Sequence, residues 1–336
     1  MGEANAQAES AAPTLPVTHV APSPHVYDAT TTRRMMIDVL IALLPILGVS
    51  FYVFRLYALM HIGLCVASCL AAELLFATVM RRKPVTLGDA SAAVTGMILA
   101  LSLPAAGPWY VSVIGSFVAI GIGKVLFGGL GQNIFNPAMV GRAFVMLAFA
   151  GAVGAGGYVV GKPPAWAHEA ITQATPMAAA KTGKAIASLW SLLLGNTNGS
   201  LGETSALACL VGGLYLCVRR TASWQVPAGV LGAVAVIGGA IQLLGGPEFG
   251  VLHHLLGGAL LFGAFFIATD LVTSPITPKG KFIFGLGVGA LVMLIRTLSN
   301  YPEGVMFAVL LMNGVVPLIN RWTIPTPVGG PVPEKK

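Results

Sequence analysis

The residues of this chain best suited to chemistry are a few hydroxyls and carboxylates set in otherwise apolar sequence. The stretch Glu169-Ala170-Ile171-Thr172-Gln173-Ala174-Thr175-Pro176-Met177 lies near the middle of a polar interval, 156–202, that separates two long apolar blocks. A threonine hydroxyl in a loop beside a bilayer can carry a covalently attached group, and a plain Thr-Pro turn is the alternative. Four acids, Asp38, Glu73, Asp89 and Asp270, fall within or beside apolar runs. Placing a charge in hydrocarbon is costly, so an intramembrane carboxylate is a functional candidate by default. Glu73, near Arg81, either belongs to a cation pathway or bonds a neighbouring helix, and both readings stand open. Asp38 is placed to pair with Arg33 or Arg34, Asp89 to cap the segment that starts at Ser91, and Asp270 to terminate a helix beside Thr269 and Thr273.

Other chemistries lack the spacing they need. His61, His253 and His254 have no third ligand at helical spacing, so packing or hydrogen bonding is expected and no metal site. Cys65, Cys69, Cys209 and Cys217 sit in apolar runs without CxxC spacing and read as small core residues. Neither GxGxxG nor GxxxxGK[ST] is present, so a nucleotide phosphate loop is not supported. No side chains stand in a catalytic arrangement.

The elements that must position these groups follow from composition. Of 336 residues, 56% are hydrophobic and 9% charged, and the mean hydropathy is +0.82. Soluble domains carry about 25% charged residues. Apolar runs near twenty residues recur along the chain, which predicts an all-α polytopic membrane protein in a lipid bilayer. The runs are continuous rather than alternating, which argues against a β-barrel. The net charge of +7 needs no nucleic acid, because the basic residues flank the apolar runs.

Ten spans are expected: 35–54, 57–80, 87–104, 109–127, 137–155, 203–218, 225–244, 251–268, 282–298 and 303–320. The third is interrupted by Asp89, Ser91 and Thr95 and is expected to be broken or re-entrant. The chain then divides into a tail (1–32), a five-helix half (33–155), the polar interval (156–202), a second five-helix half (203–321) and a short tail (322–336). The Ala/Pro/Ser/Thr-rich N-terminal tail has no apolar core, so the first span is expected to act as an uncleaved insertion signal. Putting the N-terminus in the cytoplasm leaves fourteen basic residues inside and five outside. Both termini are then cytoplasmic and the Thr175 loop extracytoplasmic. A tandem half with an odd number of spans must be inverted in the membrane, which predicts two inverted repeats.

The run Gly128-Gly129-Leu130-Gly131-Gln132-Asn133-Ile134-Phe135-Asn136-Pro137-Ala138-Met139-Val140-Gly141-Arg142 reads as a compact loop entering a proline-started helix. Its amides could also meet a flat heterocycle or a partner. With Phe265-Phe266-Ile267-Ala268-Thr269-Asp270, Asn300-Tyr301-Pro302-Glu303-Gly304, Leu310-Leu311-Met312-Asn313 and the Thr-x-Ala-Thr of the central interval, it resembles the NqrB/RnfD family over about residues 23–321. That family comprises membrane subunits of sodium-pumping NADH:quinone reductase and of the Rnf ferredoxin:NAD oxidoreductase. Length and the short N-terminal tail favour the RnfD side of the family.

The resemblance implies a flavin transferase that attaches FMN through its phosphate to the last threonine of S/T-x-A-T. Thr172 takes the first hydroxyl position, Ala174 the alanine and Thr175 the acceptor. Glu169-Ala170 stands where the family often has Asp-Gly. A second, non-covalent flavin such as riboflavin is implied without its residues being indicated. Lys162, Lys181 and Lys184 read as solvated loop cations. Further implications are a bacterial inner-membrane location, partner subunits bearing a second flavin, iron–sulfur centres and an NAD site, and coupling to Na⁺ or H⁺ movement. Such a subunit is not a complete enzyme alone. An NqrB-type subunit, a cofactor-free channel or carrier, and a purely structural membrane anchor are the alternative readings.

Overall fold

The computed structural model describes residues 30–79, 88–105, 107–153, 188–195, 199–244, 250–299, 301 and 303–325. The expected flavin-attachment residues Thr172, Ala174 and Thr175 lie outside them, as do most of the two tails. In chain order the helices are α1 (Thr32–Phe54), α2 (Leu56–Val79), α3 (Ser91–Ser102), α4 (Trp109–Ile120), α5 (Pro137–Ala148), α6 (Ala150–Val153) and α7 (Leu189–Leu194). They continue as α8 (Ala206–Val218), α9 (Gln225–Leu243), α10 (Val251–Leu256), α11 (Leu260–Phe262), α12 (Pro278–Leu298) and α13 (Val305–Thr323). A π-helical turn, Gly121–Val125, extends α4, and another, Gly263–Ile267, extends α11. Among the described residues the only β pairing is an isolated bridge between Pro104 and Ser200.

Five helices, α1, α2, α9, α12 and α13, are 19–24 residues long and apolar enough to cross a membrane. Their outward faces carry large apolar side chains, among them Leu44, Tyr52, Leu59, Val79 and Leu294. Exposed apolar surface on this scale suits lipid rather than water. The remaining apolar helices are shorter. α3, at 12 residues, is about 18 Å long, well under the roughly 30 Å of a hydrocarbon core. It can sit at membrane depth because protein surrounds it: ten of its residues are buried. The chain is a multi-pass α-helical membrane protein.

Packing follows one plan in each half. α2 lies against α3 and α4, and α4 against α5; α9 lies against α10 and α12, and α12 against α13. The halves meet where α1 packs on α8 and α5 on α13. Glycine sets the closest approaches. A Cβ on Gly141 would lie 2.5 Å from the Gly115 carbonyl oxygen, so α4 and α5 touch backbone to backbone there. This is the small-residue packing that membrane helices use where lipid gives large side chains no advantage.

Several expected spans are less continuous than hydropathy suggests. The segment 87–104 is indeed interrupted, helical only from Ser91 to Ser102. The expected uninterrupted span 251–268 is instead α10, a turn through Gly257 and Gly258, then α11 and its π turn. Gly258 adopts φ +69, a left-handed conformation that stops α10. The span 137–155 breaks at Phe149 between α5 and α6, and 203–218 becomes helical only at Ala206, capped by the Ser205 hydroxyl. Hydropathy averages over such breaks because the interrupting glycines and small polar residues cost little in the mean.

Candidate functional site

The interrupted α3, the two π turns and the glycine-rich connection border one cleft between the halves. It is lined by the N-terminal part of α3 (Ser91, Thr95), Lys124 from the π turn after α4, Asn133 and Asn136 from the glycine-rich connection, and Thr269 and Asp270 beyond the second π turn. Apolar groups including Met36, Leu216 and Phe266 complete the walls.

Local sequence explains each placement. Leu126 N–H bonds the Gly121 carbonyl at 2.9 Å, an i to i+5 bond whose extra residue gives the turn π geometry. Within this turn Lys124 is only 2% exposed, and its Nζ donates to Glu73 Oε1 and to Ser91 Oγ, both at 2.6 Å. Ser91 donates in turn to Asp89 Oδ1, through its hydroxyl at 2.5 Å and its N–H at 2.7 Å. Asp89 thus caps α3, as expected from sequence, although from the position before the left-handed Ala90. The connection 128–136 turns on Gly128, Gly129 and Gly131, all at positive φ. Asn136 then caps α5 by accepting from Met139 N–H, with Pro137 at the first helical position.

Asn136 also ties the halves together. Its Nδ2 donates to the Ile267 carbonyl at the end of the second π turn, 3.3 Å away. With the Asn313 amide oriented to satisfy both its ends, Asn313 accepts from Asn136 N–H at 3.0 Å and donates to the Val309 and Thr273 carbonyls. Asp270 accepts from the Thr273 hydroxyl and Val272 N–H, which closes the turn after the helix as its sequence context implies. The cleft is therefore built on fixed backbone. One buried acceptor, Asn133 Oδ1, has no hydrogen-bond partner and lies in the cleft wall. Such an atom is normally satisfied, so it is available to a bound donor.

The other residues singled out from sequence resolve individually. Glu73 is 3% exposed and paired with Lys124, so the structure joins it to a neighbouring helix; its Oε2 has no hydrogen-bond partner. Asp38, expected to pair with Arg33 or Arg34, instead accepts from Arg219, Thr221 and Tyr215, which links α1 to the end of α8. His61 is buried, with Nδ1 2.7 Å from the Ser112 hydroxyl and Nε2 3.1 Å from the Ala105 carbonyl. Among the described residues no group of His, Cys, Asp and Glu could hold a metal, and all four cysteines are free. Lys124 and Arg296 were missed by sequence reasoning as buried cations. The available signal was a lone basic residue inside a glycine-rich apolar run, as in Gly121-Ile122-Gly123-Lys124-Val125.

Fold and site together define a class: a polytopic helical membrane protein whose discontinuous helices frame a polar cleft between two similarly packed halves. The sequence places it further. Residues 19–329 match the NQR2, RnfD, RnfE family, and the chain belongs to that family. It is 41% identical over 308 residues to the D subunit of the Na(+)-translocating ferredoxin:NAD(+) oxidoreductase complex of Acetobacterium woodii, covering 90% of this chain and 93% of that one. It is 40% identical to the D subunit of the proton-translocating ferredoxin:NAD(+) oxidoreductase complex of Clostridium ljungdahlii, covering 92% and 96%. It is 42% identical to the D subunit of the ion-translocating oxidoreductase complex of Stutzerimonas stutzeri, covering 89% and 93%.

Proposed function

We propose that this chain is the D-type membrane subunit of an Rnf-type complex, relaying electrons while the complex couples ferredoxin and NAD redox chemistry to Na⁺ or H⁺ movement. The observation that carries this reading is identity of 40–42% with relatives named as D subunits, over about nine-tenths of this chain and of theirs. The other subunits of the complex would supply a second flavin, the iron–sulfur centres and the NAD site. The location would be the bacterial inner membrane, with both termini cytoplasmic and the 156–202 interval extracytoplasmic. Two five-span inverted repeats fit the matching packing of α2–α4 with α9–α12. They fit equally the meeting of α1 with α8 and α5 with α13, pairs that such a repeat makes equivalent.

Thr175 would carry FMN as a phosphoester, installed by a flavin transferase, with Thr172 and Ala174 completing the attachment motif. A flavin supplies one- and two-electron transfer, while the protein fixes its position and surroundings. A second, non-covalent flavin such as riboflavin would belong to the same subunit. The cleft's apolar walls and the unpartnered Asn133 Oδ1 suit the edge of a flat ring bearing an N–H, although its cavity of about 80 Å³ takes a ring edge and not a whole flavin. The Lys124–Glu73 pair and the Asn136–Asn313 network would hold that wall still, because each joins different helices through buried hydrogen bonds.

The decisive experiment is intact-mass measurement and in-gel ultraviolet fluorescence after co-expression with a flavin transferase. The wild-type chain is expected to gain one FMN phosphoester, and Thr175→Val none. An adduct that persists in Thr175→Val overturns the attachment site. No adduct at all, with the transferase active on another substrate, favours a cofactor-free carrier.

A further inference from the structure

A second polar cluster lies apart from the cleft, where the two halves face each other on the side of α5 and α13. Four charged side chains from four segments meet there. Arg142 comes from α5, Glu203 from the segment before α8, Arg296 from α12 and Glu303 from the turn before α13. Their side chains are 15%, 4%, 0% and 14% exposed, respectively. The two acids act on each other electrostatically, and both arginines act on Glu303. Two further titratable groups neighbour the cluster: His254 of α10 interacts with Arg296 through charge, and the buried Cys209 of α8 with Glu203.

The pairing in this cluster is incomplete. Arg142 Nη2 lies 3.6 Å from Glu203 Oε1, and Arg296 Nη2 lies 3.8 Å from Glu303 Oε2. Both distances exceed those of charge-assisted hydrogen bonds, about 2.7–2.9 Å. Arg296 spends its hydrogen bonds elsewhere, donating to the His254 carbonyl at 2.6 Å and the Gly257 carbonyl at 3.0 Å. Glu303 Oε2 accepts from Ala259 N–H at 3.0 Å, but Glu303 Oε1, Glu203 Oε1 and Arg296 Nε have no hydrogen-bond partner. The Glu303 carboxyl is held in this position by a cradle. A Cβ on Gly258 would overlap Glu303 Oε1, so only glycine admits the carboxyl.

An ionised carboxylate is an acceptor at both oxygens, and burying it with one oxygen unmet is costly. Two such carboxylates in one buried site disfavour double ionisation, and a proton on one of them relieves both. Protonation also turns an acceptor into a donor, which matches a site with unmet acceptors and few donors free to turn towards them.

We propose that Glu303 is a proton-binding carboxyl, set by Glu203 and Arg142 in the seam between the halves. Binding is the simple equilibrium of carboxylate plus a proton from water to carboxylic acid, with no redox partner required. The neighbours tune it in opposite senses. Glu203 raises the proton affinity of Glu303 by repulsion, and Arg142 lowers it by attraction. This assignment stands on the cluster alone and is independent of the flavin reading.

The test is infrared pH-difference spectroscopy on the purified complex, following the carboxylic-acid C=O stretch of wild type and variants. Glu303→Gln is expected to remove one titrating band and to leave the complex assembled by size-exclusion chromatography, because glutamine resembles the protonated acid. Glu203→Gln is expected to keep the band and move its midpoint down by about one pH unit or more. Arg142→Gln should move it up. A difference spectrum unchanged by Glu303→Gln overturns the proposal, and so does a midpoint indifferent to Glu203→Gln. If Glu303→Gln fails to assemble while Glu203→Gln leaves the spectrum as in wild type, the cluster is a fixed ion-pair network and the proposal fails.

Discussion

At the scale of single residues, the buried ion pair Lys124–Glu73 shows how one contact separates two functions. Its 2.6 Å geometry and burial make each partner necessary to the other. Lys124→Met leaves Glu73 charged and uncompensated among helices, which should cost about 3–5 kcal/mol. Removing both charges, as Lys124→Met with Glu73→Gln, should recover most of that loss, because a neutral pair has little left to solvate. Thermal unfolding in detergent of the two single variants and the double variant measures this coupling. A double variant no better than the worse single one would mean that Glu73 does not depend on Lys124. If Glu73 serves instead as a mobile ion ligand, Glu73→Gln would change ion affinity in reconstituted complex while the unfolding curve stayed put. Gly258 offers a second case. Gly258→Ala combines an alanine at φ +69 with a Cβ in the space of the Glu303 carboxyl. Loss of folded protein is expected, with partial rescue by Glu303→Ala, which clears the clash but not the backbone strain.

At the scale of elements, the interrupted helices are held by a few side chains that act across the seam. Asn136 caps α5 and also holds the Ile267 carbonyl, at the end of the second π turn. Asn136→Ala should cost on the order of 1–2 kcal/mol for the cap and the lost bond together. Because the same residue lies in the cleft wall, any flavin bound there should be released more readily, and retained flavin fluorescence after gel filtration reports it. The close approach of α4 and α5 leaves no such latitude. Gly141→Val places carbon atoms against the Gly115 carbonyl, at 2.5 Å for the Cβ alone. The helices must separate, and expression as a monodisperse species should collapse. Normal expression of Gly141→Val would mean that the two backbones are not in contact.

At the scale of the whole molecule, orientation in the membrane decides what the polar interval can do. The proposed topology makes both termini cytoplasmic and the loop bearing Thr175 extracytoplasmic. Green fluorescent protein fused to either end should therefore fluoresce, whereas alkaline phosphatase inserted after Gly161 should be active. Active phosphatase at the C-terminus would break the even count of crossings, and with it the two five-span repeats. The same experiment bears on the attachment of FMN, because a cytoplasmic loop would present Thr175 to a different compartment.

Class and elements were legible in the sequence because hydropathy and charge are local properties. Runs of apolar residues identified α1, α2, α9, α12 and α13 to within a few residues, and Asn136-Pro137 marked the start of α5. The interruption before Ser91 was legible because Asp89 and Ser91 are polar. The break at Gly257-Gly258 was not, because glycine barely changes mean hydropathy and its effect lies in φ. Nor could sequence alone show that Lys124 turns inward to Glu73, that Asn136 reaches Ile267, or that Glu203 and Glu303 share a buried site. Each of these joins residues far apart in the chain, and their meeting depends on which helix faces pack. The sequence by itself thus determined that Thr175 follows an S/T-x-A motif in a polar interval. The tertiary structure alone decided which buried charges find partners, because desolvation and pairing are set by neighbours in space.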